Sequence, residues 1–537
     1  MKRIFEDNPV RKIVMLTVFS FVASFMFFAG NAFDTLDVVS LFSIGIIGKY
    51  VLYAVLIWLV CFLLIVLYKL VEAKAQTFFN NRSFSEPKTW QVVVFPLICY
   101  VLSWMSIFPG IFSYDCWQEW QMMVTGKLTS HHPVLHVLLA GGLSKLSNDW
   151  FGNGNAGIAL YVALQIAFLL AVLVKIFAYM RKLKVKPIYQ WLALIFMCLS
   201  PMINLYNIVV SKDSLFAIFA LLFIFECVKV HNENDYLKSP KAIISFILSA
   251  LGTMIFRNNG LYVVALSLVF LLIINKREWK RLLGSYLIIA AIYFVYVGPF
   301  YSLLNVQPSS QRELYSVPIQ QLARVNRFNH EDLSQEDLDI MYKVIKEQNW
   351  NAYIPTCADA VKNGFDDEAF AIYKKDFLKV WLRQGIKHPV GYVNAFLVNT
   401  VDFWYPLSCN DSYDWLYGKD PDTGDFLDYR VAEPGVEVVI IKPLHDLYYY
   451  FATDLTVTTK VLPAMLLNPG FYLLLWLAIL SYDIANKNKS RSMIHVVLLW
   501  TFATVMLGPM VQVRYLVILY YVFPLWFIGT KKTLKTL

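Results

Sequence analysis

The chain has 537 residues, of which 58% are apolar and 16% are charged, and it carries a formal net charge of +9. About a quarter of the residues of a soluble domain are charged, so this composition excludes an ordinary soluble protein and predicts a membrane protein. The positive charge does not indicate a nucleic-acid partner, because the basic residues lie in short clusters between apolar runs, as in the loops of inner-membrane proteins.

Twelve apolar segments have the composition and the approximate length of a membrane-spanning helix, which needs about 20 mostly apolar residues. In chain order they are 13–30, 41–68, 91–108, 156–180, 188–203, 213–230, 242–256, 260–275, 282–303, 467–486, 493–510 and 515–530. A further apolar segment, from Pro133 to Leu146, is too short to cross a bilayer and contains Gly141 and Gly142. We predict that this segment forms a helix along the membrane surface.

The distribution of Lys and Arg predicts the orientation of the chain. With the N-terminus in the cytoplasm, the predicted cytoplasmic segments contain 25 Lys and Arg residues, whereas the short outer loops contain 5. Such an asymmetry orients multispanning proteins, so both termini are predicted to be cytoplasmic. The five outer basic residues are Lys127, Lys145, Lys212, Arg257 and Arg514.

The predicted spans divide the chain into four parts. These are an N-terminal two-span hairpin (1–90), a transmembrane core with a long outer loop at 109–155 (91–303), an extracytoplasmic region (304–466) and three C-terminal spans (467–537). Cys357 and Cys409 share the extracytoplasmic region, where one disulfide and two free thiols are open alternatives.

The extracytoplasmic region has the sequence signals of helices. Ser334 and Asp337 have the spacing of a capping box. From Asp366 onward, apolar residues beginning with Phe370 recur at helical spacing until Gly385 and Pro389 interrupt the pattern. We therefore predict that 304–466 is mainly helical.

The outer loop at 109–155 contains two acidic residues, Asp115 and Glu119, which share a face if the loop is helical. A carboxylate beside lipid loses solvation, and we expect this loss to raise the pKa of Asp115 toward that of a useful general base. The alternative is structural, with Ser113 or Asp115 capping a surface helix.

Three histidines follow in the same loop. With Asp115, the side chains of His131, His132 and His136 would form a ligand set for a metal ion. The alternative is that these histidines are hydrogen bonded at the membrane interface and bind no metal.

Three of the outer basic residues, Lys212, Arg257 and Arg514, come from separate loops at one predicted depth. A ring of such cations suits a phosphate held at the membrane surface. The alternatives are that Lys212 pairs with Asp213 at a helix N-terminus and that the arginines extend toward lipid headgroups. Arg324 is either a fourth phosphate ligand or part of a surface helix.

Several motifs together resemble the GT-C superfamily of membrane glycosyltransferases. They are Tyr114-Asp115 after Pro109-Gly110, His132-Pro133, Lys212-Asp213, Arg257-Asn-Asn-Gly260 and Arg514-Tyr515. The resemblance covers roughly 91–537 and is closest to a bacterial branch, with protein O-mannosyltransferases and aminoarabinose transferases as more distant relatives. It implies an all-α polytopic bundle of about 12 transmembrane helices with outer juxtamembrane helices, in the bacterial cell membrane.

The resemblance also implies an activity. A sugar would move from a polyprenyl-phosphate donor to an envelope glycan, lipid or protein on the outer face, with inversion, and Asp115 would match the essential acidic residue of the superfamily. Because Asp115 has no acidic neighbour, a base role without a cofactor is favoured over binding of a divalent metal. The residues expected to bind the donor phosphate are Lys212, Arg257, Arg514 and Arg324, and those expected to position substrates are Glu119, His131, His132, Asp213, Asn258 and Tyr515.

Two other functions compete with this one. A polysaccharide polymerase or ligase would use a lipid-diphosphate-linked oligosaccharide, and a transporter or flippase of lipid-linked sugars would carry out no covalent chemistry. Transporter sites generally lie near the midplane of the membrane, whereas these charges collect at one predicted rim. The charge pattern therefore favours an enzyme.

Overall fold

The computed structural model describes residues 8–35, 44–80, 85–408, 431–453 and 461–529. All regular elements in these residues are helical, and within them the chain pairs as strands only at isolated bridges. The predicted all-helical class is confirmed.

The described residues of the hairpin and the core are mainly helical. The α-helices are α1 (Pro9–Thr35), α2 (Ile44–Asn80), α3 (Thr89–Ser106), α4 (Tyr114–Thr125), α5 (Val134–His136), α6 (Gly142–Phe151), α7 (Asn155–Lys182), α8 (Pro187–Leu199), α9 (Pro201–Tyr206), α10 (Lys212–Asn232), α11 (Pro240–Ile255), α12 (Gly260–Ile274), α13 (Trp279–Val295) and α14 (Tyr301–Leu303). The π-helical turns Val137–Gly141 and Tyr296–Phe300 connect α5 to α6 and α13 to α14.

The predicted extracytoplasmic region and the C-terminal part follow. Their α-helices are α15 (Ser316–Phe328), α16 (Gln335–Val344), α17 (Glu347–Trp350), α18 (Asp359–Lys362), α19 (Asp367–Lys387), α20 (Pro389–Asn399), α21 (Val401–Trp404), α22 (Lys442–Thr453), α23 (Val461–Leu467), α24 (Pro469–Asn486), α25 (Ser492–Val505) and α26 (Ile518–Tyr521). Short 3-10 helices at Val513–Leu516 and Phe523–Phe527 flank α26.

Six helical segments among the described residues are long and apolar enough to cross a membrane, which makes this a helical membrane-embedded protein. They are Pro9–Phe33, Ile46–Leu67, Thr89–Ser106, Asn155–Lys182, Lys212–Asn232 and Trp279–Leu303. Most of the other predicted spans are shorter apolar helices, and the segment predicted at 515–530 is broken into α26 and its flanking 3-10 helices. The count of twelve spans stays a prediction.

Helix α10 lies at the centre of the bundle. It is apolar on all sides, which is the pattern of a fully enclosed helix, and it packs against α7, α11, α25 and α26. Helix α2 is the opposite case, since it packs against α1 and leaves most of its apolar side chains exposed. Side chains of that kind suit contact with lipid.

The segment predicted as a surface helix forms α5, a π-helical turn and α6, and it extends to Phe151. The backbone of Gly141, the last residue of the π-turn, lies against α4. A Cβ atom on Gly141 would lie 2.5 Å from the carbonyl oxygen of Glu119, so only glycine permits this approach. The contact sets the position of α4, which carries Asp115 and Glu119.

The predicted extracytoplasmic region has its own hydrophobic cluster, which includes Trp350 and Phe370. The capping box at the start of α16 is confirmed, with the Ser334 hydroxyl accepting from the Asp337 amide at 3.1 Å. Helix α19 ends at Lys387, two residues beyond Gly385.

Of the two cysteines of the predicted extracytoplasmic region, Cys357 is described and Cys409 lies outside the described residues. The disulfide and the two free thiols both stay predictions.

Adjacent glycines provide a test of the contact between α4 and the π-turn. We expect Gly141→Ala to destabilise the protein by about 1–3 kcal/mol, because the added methyl group overlaps backbone atoms that cannot move away independently. Gly142→Ala is the matched control, since its nearest neighbour would be the methyl carbon of Met123 at 3.8 Å. Thermal unfolding in detergent measures both, and equal melting temperatures would contradict the proposed contact.

Candidate functional site

Two loops bring the starts of α4 and α10 together. The amide of Ile111 donates to the carbonyl of Ile208 at 2.9 Å, and the amide of Val210 donates to the carbonyl of Ile111 at 2.9 Å. At the start of α10, the hydroxyl of Ser211 accepts from the amide of Asp213 at 3.1 Å and caps the helix. The residues that follow in each loop, Asp115 and Lys212, therefore become neighbours.

Asp115 forms ion pairs with two cations. Lys212 Nζ donates to Asp115 Oδ2 at 2.9 Å, and Arg514 Nη2 lies 3.4 Å from the same oxygen. The three side chains are partly accessible, with exposed fractions of 20% for Asp115, 16% for Lys212 and 17% for Arg514. Ser113 occupies the N-cap position of α4 and makes no side-chain cap hydrogen bond, so the capping alternative does not account for Asp115.

Asp213 is fully buried and binds the two arginines. Arg257 Nη1 lies 2.8 Å from Asp213 Oδ1, and Arg514 Nε lies 3.5 Å from Asp213 Oδ2. The guanidinium of Arg257 also lies over the ring of Tyr515 at 4.1 Å. Arg514 thus connects the two carboxylates, and Asp213 pairs with arginines rather than with Lys212.

We call Asp115, Lys212, Asp213, Arg257 and Arg514 the charge cluster. It joins the start of α4, the start of α10, the turn between α11 and α12, and the 3-10 helix after α25. The sequence indicated a common predicted depth for its three cations but not that their loops converge. The structure brings them together at one end of the bundle.

The charge environment of Asp115 differs from the expectation. Burial by itself raises the pKa of this carboxyl, but Arg514 and Lys212 outweigh burial and hold the pKa well below its ordinary value. The expected upward shift is therefore wrong, because the sequence did not show the two cations that lie against the carboxylate. In this state Asp115 is ionised and is a weak base.

His132 is buried next to Lys212. Its Nδ1 accepts from Lys212 Nζ at 2.9 Å, so its Nε2 carries the proton and donates to Gln118 Oε1 at 3.0 Å. Burial and the charge of Lys212 lower the pKa of His132 well below its ordinary value, which keeps the ring neutral. His131 is more exposed, and desolvation and Lys212 lower its pKa as well.

Glu119 is fully buried behind the cluster. Its Oε2 accepts from His136 Nδ1 at 2.6 Å, and His136 Nε2 lies 2.8 Å from the hydroxyl of Tyr161. The hydroxyl of Tyr161 also lies 3.3 Å from the carbonyl of Ser211, which ties this group to the start of α10. A substrate cannot reach the buried Glu119, so its expected role in positioning substrates is not supported. Glu119 instead supports the loops that carry Asp115 and Lys212.

Sequence reasoning did not select Tyr161 or Gln118. Tyr161 lies within the apolar pattern of α7, and Gln118 is one polar residue on α4. Neither position has a local signal that distinguishes it from an ordinary helix residue. Only the structure shows that Gln118 contacts His132 and that Tyr161 contacts His136.

The remaining predicted residues lie at different distances from the cluster. Asn258 is exposed, and its amide nitrogen lies 3.5 Å from the carbonyl of Ser130. Arg324 donates to the hydroxyl of Tyr353 at 3.1 Å and lies over the ring of Phe328, both in the predicted extracytoplasmic region. Arg324 is itself buried, with 4% of its surface exposed, so these contacts describe a packed position within α15 rather than an exposed surface helix.

The metal alternative finds no geometric support in the part of the chain that the structure describes. There, three or more His, Cys, Asp or Glu side chains are nowhere grouped so as to hold a metal ion. His132 is instead bound to Lys212 and Gln118, and His136 is bound to Glu119 and Tyr161.

The predicted extracytoplasmic region attaches beside the cluster. The amide of Ser130 donates to the carbonyl of Gln307 at 2.8 Å, and the amide of Gln307 donates to the carbonyl of Leu128 at 2.9 Å. Near Arg514, the amide of Ala358 donates to the carbonyl of Pro509 at 2.8 Å. These bonds attach the region to the outer loop just before His131 and to the segment just before Arg514.

The fold and the cluster define the class of the protein, a helical membrane-embedded protein with a partly buried group of ion pairs at one end of its bundle. The chain belongs to the DUF6020 family, a family of unknown function, whose model matches residues 17–535. No curated protein and no solved structure matches the chain.

The neutral state of His132 predicts a pH dependence of stability. Below pH 6.5 the unfolded chain binds a proton at this residue that the folded chain does not, so stability falls as the pH decreases. We expect His132→Gln, whose amide can also accept from Lys212, to flatten the melting temperature between about pH 7 and about pH 5. His131→Gln is the comparison and should flatten it less, and an unchanged slope in His132→Gln would contradict the assignment.

The burial of Asp213 predicts a large effect of its removal. Asp213→Asn leaves the charges of Arg257 and Arg514 without this carboxylate, and we expect it to destabilise the protein by about 3 kcal/mol. Asp149→Asn is the control, because Asp149 pairs with Lys145 on the exposed surface of α6, where such a pair contributes at most about 1 kcal/mol. Thermal unfolding of the two variants side by side checks this, and similar losses would contradict it.

Proposed function

We propose that this chain is a membrane glycosyltransferase that moves a sugar from a polyprenyl-phosphate donor to a hydroxyl group of an envelope glycan, lipid or protein. The observation that supports this proposal best is the charge cluster, in which two cations from separate loops, Lys212 and Arg514, pair with the partly exposed carboxylate of Asp115 and a third, Arg257, lies behind them on Asp213. The proposal also rests on the motifs that resemble the GT-C superfamily. It places the chain in the bacterial cell membrane, with both termini cytoplasmic and the cluster on the outer face.

The proposed reaction is a single displacement with inversion. The carboxylate of Asp115 takes the proton of the acceptor hydroxyl, and the acceptor oxygen forms a bond to the anomeric carbon of the donor sugar. The bond between that carbon and the phosphate oxygen breaks, and polyprenyl phosphate leaves with the electron pair. The proposal requires no metal or other cofactor for this step.

The three cations are suited to a leaving phosphate. Lys212, Arg257 and Arg514 are held by ion pairs before any ligand arrives, and preorganised charges of this kind typically stabilise a transition state by several kcal/mol. His131 and Asn258 are exposed at the edge of the cluster, where they would contact a sugar or an acceptor. Asp213 and His132 are buried and would instead hold the arginines and Lys212 in position.

The charge balance supports a polyprenyl phosphate over a lipid diphosphate. The charge cluster contains three cations and two carboxylates, and the neighbouring His132 is neutral. Within the cluster one positive charge is therefore in excess, which matches the single negative charge of a phosphodiester. A diphosphate-linked donor, as in the polymerase or ligase alternative, brings two negative charges and leaves one without a partner.

The transporter alternative has less support. The charge cluster lies at the starts of α4 and α10, next to the turn between α11 and α12, rather than midway along these helices. Binding sites of transporters generally lie near the membrane midplane between broken helices. A lipid-linked sugar that crosses the membrane without transfer would favour this alternative.

The test is sugar transfer in proteoliposomes that contain the purified full chain, a radiolabelled polyprenyl-phosphate sugar and a crude envelope acceptor. We expect Asp115→Asn to reduce transfer by about 100-fold or more, because it removes the general base. Asp149→Asn, on the exposed face of α6, is the control and should transfer at the wild-type rate.

Each other outcome of the assay has a defined meaning. Normal transfer by Asp115→Asn would remove this residue from the mechanism. Transfer only from a diphosphate-linked oligosaccharide would replace the proposed donor, and a wild-type protein without transfer from either donor would contradict the enzymatic proposal.

A further inference from the structure

The two carboxylates of the charge cluster differ in their exposure. Asp213 is fully buried and its partners are Arg257 and Arg514, whereas the side chain of Asp115 is 20% exposed and its partners are Lys212 and Arg514. A ligand that approaches from the open side of the cluster therefore meets Asp115 and its two cations first. Asp213 lies behind them.

Both cations of Asp115 converge on one atom. Lys212 Nζ and Arg514 Nη2 lie 2.9 Å and 3.4 Å from the same oxygen, Oδ2. Two cationic donors around one anionic oxygen form the same arrangement that binds a phosphate oxygen. The longer distance shows that Arg514 is held less closely here, since its Nε also faces Asp213.

A second anion cannot join this arrangement without competition. A phosphate that binds Lys212 and Arg514 brings its charge close to the carboxylate of Asp115, and like charges repel at this distance. Partial exclusion of water strengthens that repulsion. The carboxylate and the phosphate therefore compete for the same two cations.

We infer that in the free protein Asp115 occupies the ligand position of Lys212 and Arg514, and that the donor phosphate displaces it from these two cations. The inference rests on the proposed function and adds an order of events to it. Arg257 and Asp213 do not move in this exchange, because Asp213 is fully buried and Arg257 is held between Asp213 and the ring of Tyr515.

The exchange resolves a difficulty in the chemistry of Asp115. Held by two cations, its carboxylate has a pKa well below the ordinary value and is a poor proton acceptor. Once the phosphate shares those cations, the carboxylate lies beside a new negative charge, and both changes raise its proton affinity. Donor binding thus prepares the base that later accepts the proton of the acceptor hydroxyl.

The first measurement uses the wild-type full chain in lipid nanodiscs. A hydrophobic carbodiimide modifies protonated carboxyl groups, so modification of Asp115, followed by mass spectrometry, reports its proton affinity. We expect sugar-free undecaprenyl phosphate to accelerate modification of Asp115 at least about threefold, while undecaprenol, which lacks the phosphate, leaves the rate unchanged. Asp149 serves as the internal reference, since its exposed pair with Lys145 lies outside the cluster.

The second measurement is binding of undecaprenyl phosphate to variants. Asp115→Asn removes the competing anion and should bind the lipid phosphate about tenfold more tightly than the wild type does. Asp149→Asn is the matched control and should bind as the wild type does. Because an altered fold would also change affinity, the melting temperature of each variant is measured in the same nanodiscs.

The inference is overturned if the lipid phosphate slows modification of Asp115, as simple shielding would, or if folded Asp115→Asn binds with unchanged or weaker affinity. If Asp115→Asn does not fold, the wild-type modification rate decides alone. These outcomes are separate from failure of the proposed function. A wild-type protein that transfers sugar but shows slower modification keeps the function and loses the exchange, whereas a protein that neither binds the lipid phosphate nor transfers sugar loses both.

Discussion

The ion pairs of Asp213 with Arg257 and Arg514 are the constraint on which the end of the bundle depends. A fully buried carboxylate costs several kcal/mol to remove from water, and a paired cation offsets this cost only at close range. Asp213 has two such cations, and each comes from a different loop. Three segments must therefore meet: the start of α10, the turn after α11 and the segment after α25. Their meeting also brings Lys212 next to Asp115.

Polar contacts also fix the opposite end of α10. There Asn232 donates to the carbonyl of Ser490 at 3.0 Å, next to a buried group in which Asp483 binds Arg491 and His495. Apolar helices gain little by exchanging lipid for one another, so the packing of spans depends strongly on such polar contacts. Helix α10 is thus held at both ends, which explains how an apolar, centrally buried helix presents Lys212 and Asp213 in a defined position.

Local signals were predictable from the sequence, and contacts between distant segments were not. The capping box of Ser334 and the start of α19 depend on neighbours three or four residues away, and both are present. The grouping of Lys212, Arg257 and Arg514 on one face could be expected from charge counting. Their convergence and their ion-pair partners depend on how separate helices pack against one another. The periodicity of apolar residues within one helix carries no information about that packing. The pKa of Asp115 shows the consequence, since its burial was anticipated and its two cations were not.

The proposed phosphate site must also be stable when it is empty. Three cations grouped in a partly dehydrated place repel one another, so the empty site needs anions of its own. The chain supplies two carboxylates, Asp115 and Asp213, and their different exposure gives them different roles. Asp213 is enclosed and keeps Arg257 and Arg514 in place whether or not a ligand is present, while Asp115 is accessible and pairs with cations that a ligand can also reach. In the proposed reaction, the carboxylate that stabilises the empty site is also the one that accepts a proton when the site is filled.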